Sequence, residues 1–134
     1  MRSTTTPIQI RFADVDKLGH VNNAVYLSYI EVARLHFFTE VAGKINWDKE
    51  GIILGRVEID YKVPVLLEDK LFVKTWCNRI GTKSFDLTYS IFTKNGDNEI
   101  EKAKAVSVLV CFEYATGKSI VMPEQWRRWL ENKE

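Results

Sequence analysis

Five polar residues of the kinds that enzymes use in catalysis fall within ten positions: Asp14, Asp16, His20, Asn22 and Asn23. A strongly apolar stretch follows at once, so the chain passes here from a polar loop into a predicted helix. The first turn of a helix presents unpaired backbone N–H groups and a partial positive charge, which favour a carboxylate and a developing oxyanion. We call residues 14–23 the motif loop.

The residue types of the motif loop indicate acyl transfer. An ionised Asp16 beside a polarised carbonyl can attack that carbonyl or activate a water against it. His20 lies four residues further on, where it can orient a water or hold a substrate oxygen, and Gly19 permits the sharp turn between them. The structural alternative stays open at this point, because Asp and Asn are also good loop and capping residues.

The apolar stretch predicts one long helix from about Asn23 to about Ala42. Its apolar residues recur every three or four positions, and further apolar residues widen that stripe until most of the helix surface is apolar. We therefore expect a helix buried on several sides, with Asn22 or Asn23 capping its start and Gly43 ending it. The stripe consists of Tyr26, Ile30, Ala33, Phe37 and Val41.

The rest of the chain has the alternation of β-strands. Ile8, Ile10 and Phe12 predict a first strand over residues 8–13, and Asn95 to Asn98 form a tight-turn signal between the last two strands. The later strands are predicted at residues 57–63, 70–78, 84–93 and 99–114, followed by a short terminal helix that carries Trp126, Trp129 and Leu130. This order predicts an α+β fold in one domain, residues 1–134, with an antiparallel sheet of about five strands wrapped around a central helix.

Composition excludes several classes of function. The net charge is +1, so there is no electrostatic case for a nucleic acid or an anionic membrane as partner. No apolar run approaches a membrane span, and residues 1–7 lack the apolar core of a secretory signal, so we expect a cytoplasmic protein. Cys77 and Cys111 are expected to be buried reduced thiols, with a bridge between neighbouring strands as the alternative. The Cys and His residues show no metal-ligand spacing.

The stretch "RFADVDKLGHVNNAVYLSYIEVAR", residues 11–34, resembles the signature of hotdog-fold acyl-CoA thioesterases of the 4-hydroxybenzoyl-CoA thioesterase type. The similarity continues more weakly through residues 57–76 and 79–92, so it covers most of the chain. The order of elements is also that of the hotdog fold, in which a sheet wraps a long helix.

The resemblance implies roles for several residues of the motif. Asp16 takes the position of the catalytic carboxylate, and the backbone N–H at Asn23 takes that of the group that polarises the thioester carbonyl. His20 matches a branch that includes plant acyl-carrier-protein thioesterases, although these carry an Asn where this chain has Leu18. We expect His20 to line the pocket as an auxiliary group. The substrate is expected to meet Gly19, Val21, Asn22 and Tyr26.

A second segment, "RIGTKS" at residues 79–84, lies by the resemblance near the pantetheine and nucleotide of CoA. Arg79, Lys83 and Ser84 are therefore expected to contact the substrate, with the two cations on phosphates. The segment is not a Walker A loop, because Thr82 interrupts the Gly-Lys-Ser order. A plain solvated basic turn between strands is the alternative.

The predicted activity is hydrolysis of an acyl thioester, with acyl-CoA as the first expectation, water as co-substrate and no metal or organic cofactor. One alternative is the same reaction on acyl carrier protein. A second is a hotdog module that binds acyl-CoA without hydrolysing it, against which Asp16 argues. A hotdog dehydratase or hydratase would pair a His with an acid in another motif. The resemblance implies a homodimer or homotetramer.

Overall fold

A computed structural model describes residues 2–41 and 45–133 of the chain. One long helix and one short helix accompany an antiparallel sheet. In chain order the elements are β1 (Ser3–Ile8), a 3₁₀ turn (Phe12–Asp14), α1 (Val25–Glu40), β2 (Glu50–Tyr61), β3 (Leu71–Ile80), β4 (Ser84–Asn95), β5 (Asn98–Glu113), β6 (Lys118–Ser119) and α2 (Glu124–Leu130).

The five longer strands follow the order β1-β3-β4-β5-β2, and β6 extends the sheet beside β5. Every pairing is antiparallel. One face of the sheet packs against α1, since alternate residues of β3, β4 and β5 are buried there together with the inner side of the helix. The predicted α+β hotdog architecture is therefore confirmed.

The helix begins later than predicted and is less enclosed. It starts at Val25, and the predicted caps do not act as such, because the N-cap position is Ala24 and no side chain caps it. The predicted end at Ala42 and Gly43 lies outside the described residues. The predicted stripe is buried, but Leu27, Val32 and Leu35 are 44–56% exposed. A single sheet covers one side of a helix, so the opposite side stays open within one chain.

The first strand is displaced from its predicted place. Residues 8–13 were expected to form it, but β1 is Ser3–Ile8, and Phe12 is 84% exposed. Ile8 pairs with Leu71, the first residue of β3, so the pairing ends there, and the chain then forms a turn in which the Asp14 carboxylate accepts hydrogen bonds from Arg11. The true strand was hard to see because its buried residues, Thr4 and Thr6, are polar.

The strands β2 to β5 and the terminal helix agree with expectation except at their ends, whereas the short β6 was not predicted. β2 begins seven residues before its predicted start and passes a register shift between Leu54 and Arg56. Gly96 turns the chain between β4 and β5 with φ +61°, as the tight-turn signal predicts. The short terminal helix buries Trp126, Trp129 and Leu130.

The two thiols are free and buried, as predicted. Cys77 lies on β3 and Cys111 on β5, with β4 between them, so the alternative of a bridge between neighbouring strands is wrong. Burial raises the pKa of each thiol to about 11. Among residues 2–41 and 45–133, no helix is long and apolar enough to cross a membrane.

Candidate active site

The motif loop folds as a tight turn that closes on itself before α1. The N–H of Asp16 donates to the carbonyl of His20 (2.8 Å), and the N–H of Gly19 donates to the carbonyl of Asp16 (3.0 Å). Val15 and Val21 form a single antiparallel bridge below the turn. Gly19 has φ +80°, a conformation that side-chain-bearing residues rarely adopt, which is why this turn needs a glycine.

The Asp16 carboxylate is fixed through one of its two oxygens. Asp16 Oδ1 accepts hydrogen bonds from the N–H groups of Leu18 (2.9 Å) and His20 (3.2 Å). Asp16 Oδ2 has no hydrogen-bond partner among the described residues, and the side chain lines an open pocket. The turn therefore orients the carboxylate while leaving one oxygen available for chemistry.

The neighbouring carboxylate, Asp14, is buried and fully engaged. Its oxygens accept hydrogen bonds from the Arg11 N–H (3.0 Å), the Arg11 guanidinium (3.0 and 3.2 Å) and the Tyr29 hydroxyl (2.7 Å). Burial alone would raise the pKa of Asp14, but these hydrogen bonds outweigh burial and hold that pKa below its usual value. Asp14 thus ties the motif loop to α1.

At the start of α1, the Asn23 backbone makes one hydrogen bond through its carbonyl and none through its N–H within the described residues. Asn22 Oδ1 accepts the N–H of Ala24 (2.9 Å), which forms a turn just ahead of the helix. The carbonyl of Asn23 accepts the Tyr61 hydroxyl (2.9 Å). The N–H of Asn23 has no acceptor among the described residues, and Asn23 lines the same pocket as Asp16. That N–H is available to a carbonyl oxygen of a ligand.

A pocket of about 320 Å³ brings most of the predicted site residues together. The motif loop and the start of α1 form one side of it, through Asp16, Leu18, His20, Val21, Asn23 and Tyr26. Burial raises the pKa of Tyr26, and a hydrogen bond with the backbone of Val65 partly offsets this. The predicted residues Gly19 and Asn22 do not line the pocket but shape the turn and the helix start beside it.

The opposite wall was missed by reasoning from motifs. It consists of Tyr61 at the end of β2 and the three residues that follow, Lys62, Val63 and Pro64. Tyr61 packs edge-on against Tyr26, with ring centroids 5.0 Å apart. Nothing in the spacing of the motif loop points to a segment some forty residues later. The similarity noted over residues 57–76 is the signal that could have identified it.

The segment "RIGTKS" lies elsewhere in the chain. Phe85, the next residue, packs against Phe38 near the C-terminal end of α1 (ring centroids 6.2 Å apart), whereas the pocket lies at the N-terminal end. Tyr26 and Phe38 are twelve residues apart, about 18 Å along a helix. Arg79, Lys83 and Ser84 are therefore absent from the pocket wall of their own chain.

Of the two cations in that segment, Arg79 is already engaged. Its guanidinium donates to Asp86 (2.8 Å) and to the Ser84 hydroxyl (3.0 Å). The hydrogen bond to Asp86 raises the pKa of Arg79 above its usual value. Lys83 is exposed, and its side chain has no ion-pair partner among residues 2–41 and 45–133. Lys83 is the freer of the two for an external phosphate.

Another depression is larger than this pocket. It measures about 620 Å³ and lies on the outer face of the sheet, over the stacked rings of Phe72 and Phe92. None of the motif-loop residues lines it.

In the described part of the chain, no group of three or more His, Cys, Asp or Glu side chains could hold a metal ion.

A long helix packed on an antiparallel sheet, with a carboxylate in a pocket beside the start of that helix, is the arrangement expected of a hotdog-fold thioester hydrolase. The chain belongs to the Thioesterase-like superfamily, whose sequence profile matches residues 10–130.

Relatives of known activity agree with this class. The long-chain acyl-CoA thioesterase FadM of Escherichia coli is 27% identical over 129 residues, which cover 94% of this chain and 96% of FadM. A thioesterase from Thermus thermophilus, solved with coenzyme A and Zn, is 34% identical with a TM-score of 0.81, and the match covers 97% of this chain and 92% of that one.

A third comparison concerns the fold alone. The structure of a 4-hydroxybenzoyl-CoA thioesterase Asp-to-Asn mutant, complexed with 4-hydroxybenzoyl-CoA, has a TM-score of 0.89 at 18% identity. The match covers 97% of this chain and 99% of that one. The predicted resemblance, the hotdog fold and the thioester hydrolase class are thus confirmed.

Proposed function

We propose that this chain hydrolyses acyl-CoA thioesters in the pocket beside the motif loop, with Asp16 as the catalytic carboxylate. The observation that carries the proposal is the pairing of two free groups in one pocket. These are Asp16 Oδ2, which has no partner among the described residues, and the N–H of Asn23, which has none either. Acyl transfer needs such a pair, a carboxylate and an oxyanion donor.

The reaction follows from these two groups. The thioester carbonyl oxygen accepts the Asn23 N–H, and negative charge develops on that oxygen as the carbonyl carbon is attacked. Asp16 Oδ2 either attacks that carbon itself, giving an acyl-aspartyl anhydride that water cleaves, or takes the proton of an attacking water. In both routes one water is consumed, the C–S bond breaks, and the products are a carboxylic acid and the free thiol of CoA.

His20 is proposed as an auxiliary group. Its backbone N–H already holds Asp16 Oδ1 (3.2 Å), and its side chain lines the pocket. Its ring has no hydrogen-bond partner among the described residues, so it can orient a water or a substrate oxygen. Val21 and Tyr26 supply apolar wall to the substrate, while Gly19 and Asn22 act through the turn and the helix start.

The proposed substrate class rests on what two relatives act on or bind and on the positive charges of Arg79 and Lys83. FadM acts on long-chain acyl-CoA, and the Thermus thermophilus thioesterase was solved with coenzyme A. CoA carries phosphates that acyl carrier protein does not present in the same form. We propose that Lys83, supported by Arg79 and Ser84, meets those phosphates. Because these residues lie at the other end of α1, a second copy of the chain must bring them to the pocket.

We also propose that the protein acts as a homodimer or homotetramer. β2 forms one edge of the sheet and carries Ile53 and Leu54, which are 39% and 45% exposed. Unpaired edges are a liability that pairing with a second copy removes. The exposed apolar side of α1 would be covered in the same assembly. Light scattering that shows a fully active monomer at micromolar concentration would contradict this proposal.

A panel of acyl-CoA and acyl-carrier-protein substrates, with free thiol release measured, tests the activity. We expect release from acyl-CoA that depends on Asp16. Faster thiol release from acyl carrier protein than from acyl-CoA would show that the alternative substrate, acyl carrier protein, is the preferred one. Tight binding of acyl-CoA without thiol release would make the chain a binding module.

The unpaired thiols Cys77 and Cys111 support a reducing compartment, and we propose the cytoplasm.

A further inference from the structure

Lys102 is a buried lysine that the proposed reaction does not use. It lies on β5 and is 7% exposed, in a residue class that is rarely buried without a partner. Across from it, β4 pairs Ile91 with Ala103 and Phe92 with Glu101, so Lys102 is the extra residue of a β-bulge. A bulge re-aims side chains, and here two consecutive residues, Lys102 and Ala103, are both buried.

The lysine binds the segment that includes Lys62, Val63 and Pro64 of the missed pocket wall. We call residues 62–69 the wall segment. The Lys102 ammonium donates to the carbonyl of Pro64 (3.1 Å) and lies 3.6 Å from Asp69 Oδ2. The carbonyl of Lys102 accepts the N–H groups of Lys62 (2.9 Å) and Val63 (3.0 Å). Both ends of the wall segment are thus attached to one residue.

Asp69 continues the connection inside the wall segment. Its Oδ2 accepts the N–H of Leu66 (2.8 Å), so one carboxylate oxygen faces both the lysine and the backbone of the turn. The side chains of Lys102 and Asp69 are 9% and 18% exposed, respectively. Hydrogen bonds at such sites are strong because little water competes for them.

The wall segment in turn holds the motif loop. The N–H of Val21 donates to the carbonyl of Val65 (2.8 Å), and His20 forms an isolated antiparallel bridge with Leu66. His20 is also the residue whose N–H and carbonyl bond to Asp16. A continuous series of contacts therefore runs from Lys102 through the wall segment to the catalytic carboxylate.

Stability alone does not explain a charge at this position. A buried ion pair is often no more stabilising than apolar residues of similar volume, because removing both charges from water costs free energy. What an apolar side chain cannot do is hold the Pro64 carbonyl and Asp69 in one geometry.

We propose that Lys102 and Asp69 are positioning residues that fix the wall segment against the motif loop and so set the placement of Asp16 and His20. This inference rests on the proposed function. The reason for expecting a catalytic effect is that small displacements of reacting groups lower rates strongly. The pair acts through the backbone contacts at Val21 and Leu66, and neither Lys102 nor Asp69 lines the pocket.

The test compares Lys102→Met with Lys104→Met, a matched control two residues along β5 whose side chain is exposed. We expect Lys102→Met to lower kcat by about 10- to 100-fold, with little change in KM, since the groups that bind substrate remain. Hydrogen exchange should accelerate at the amides of Val21 and Leu66. The amides of the central strand β4 should exchange as in the wild type, and Lys104→Met should change none of these quantities.

A double variant, Lys102→Met with Asp69→Asn, separates positioning from charge compensation and serves if the single variant does not fold. It leaves no buried charge unpaired, so its melting temperature should approach that of the wild type. Its kcat should stay low, because nothing donates to the Pro64 carbonyl.

Three results would overturn the inference: wild-type kcat in Lys102→Met, full recovery of kcat in the double variant, or faster exchange throughout β4. Failure of the proposed function would look different, because wild-type protein would then release no thiol while the exchange pattern could still change as expected.

Discussion

The motif loop contains two aspartates, two residues apart, whose surroundings differ in almost every respect. Asp14 is 2% exposed, and each of its oxygens accepts hydrogen bonds from Arg11 or Tyr29. Asp16 is exposed, and only one of its oxygens is held, by two backbone amides of its own turn. A carboxylate whose lone pairs are all engaged stabilises the fold, whereas one with a free oxygen can react.

The sharpest test of this comparison is Asp16→Asn. The amide keeps the shape but loses the charge that attacks or deprotonates water, so we expect kcat to fall by about 100- to 10,000-fold. Thiol release from acyl-CoA measures the effect, and circular dichroism checks the fold. Near-wild-type turnover would show that the chemistry is assigned to the wrong carboxylate.

The converse substitution, Asp14→Asn, should act on stability. It weakens a buried set of charge-assisted hydrogen bonds, and we expect a loss of about 1–3 kcal/mol in the free energy of unfolding. Denaturant titration measures it. Tyr29→Phe is the matched control, because it removes a single hydrogen bond from the same carboxylate, and its loss should be smaller.

The same aspartate predicts a pH dependence. The pKa of Asp14 is lower in the folded protein than in an unfolded chain, so its contribution to stability is present above the unfolded value of about 3.9. That contribution is lost as the pH falls through the folded pKa. The free energy of unfolding should therefore fall less steeply at acid pH in Asp14→Asn than in the wild type, as measured by denaturant titration at a series of pH values. If the two proteins lost stability equally, groups other than Asp14 would cause the decline.

His20→Ala should have a smaller effect than Asp16→Asn. One hydrogen bond of about 1–1.5 kcal/mol corresponds to roughly a tenfold change in kcat. The backbone of the turn stays, so the N–H at position 20 still holds Asp16 Oδ1. A loss as large as that of Asp16→Asn would make the imidazole a principal catalyst and would overturn the auxiliary role.

The smallest effect is expected at Lys83, which we assign to binding alone. A phosphate contact reaches about 1.5–3 kcal/mol at most as a charge-assisted bond, and an exposed pair is worth ~0–1 kcal/mol. Lys83→Ala should raise KM for acyl-CoA several-fold and leave kcat nearly unchanged, because the contact binds ground state and transition state alike.

Two controls accompany the Lys83 experiment. Lys94→Ala removes another exposed lysine, at the far end of β4, and should leave KM unchanged. An acyl-pantetheine fragment without the nucleotide should not distinguish Lys83→Ala from the wild type. If Lys83→Ala raised KM equally for the fragment and for acyl-CoA, Lys83 would not contact the phosphates, and "RIGTKS" would be a plain basic turn.

The sequence by itself determined most of the elements and the class of the protein. Periodicity identified the long helix and four of the strands, because the spacing of buried side chains is a local property of each element. The motif string identified the hotdog thioesterase family and singled out Asp16. The first strand was misplaced because its inward residues are Thr4 and Thr6, whose burial depends on β3 and α1 and leaves no alternation of hydropathy.

Tertiary structure decided which groups are free to react and what surrounds them. Residue type and spacing alone do not distinguish Asp14 from Asp16, and the hydrogen bonds from Arg11 and from Tyr29 on α1 commit Asp14 to the fold. The wall at Tyr61 and its support by Lys102 depend on contacts between residues some forty positions apart. Such contacts are set by strand order and by a bulge in β5, and neither is encoded in a local pattern.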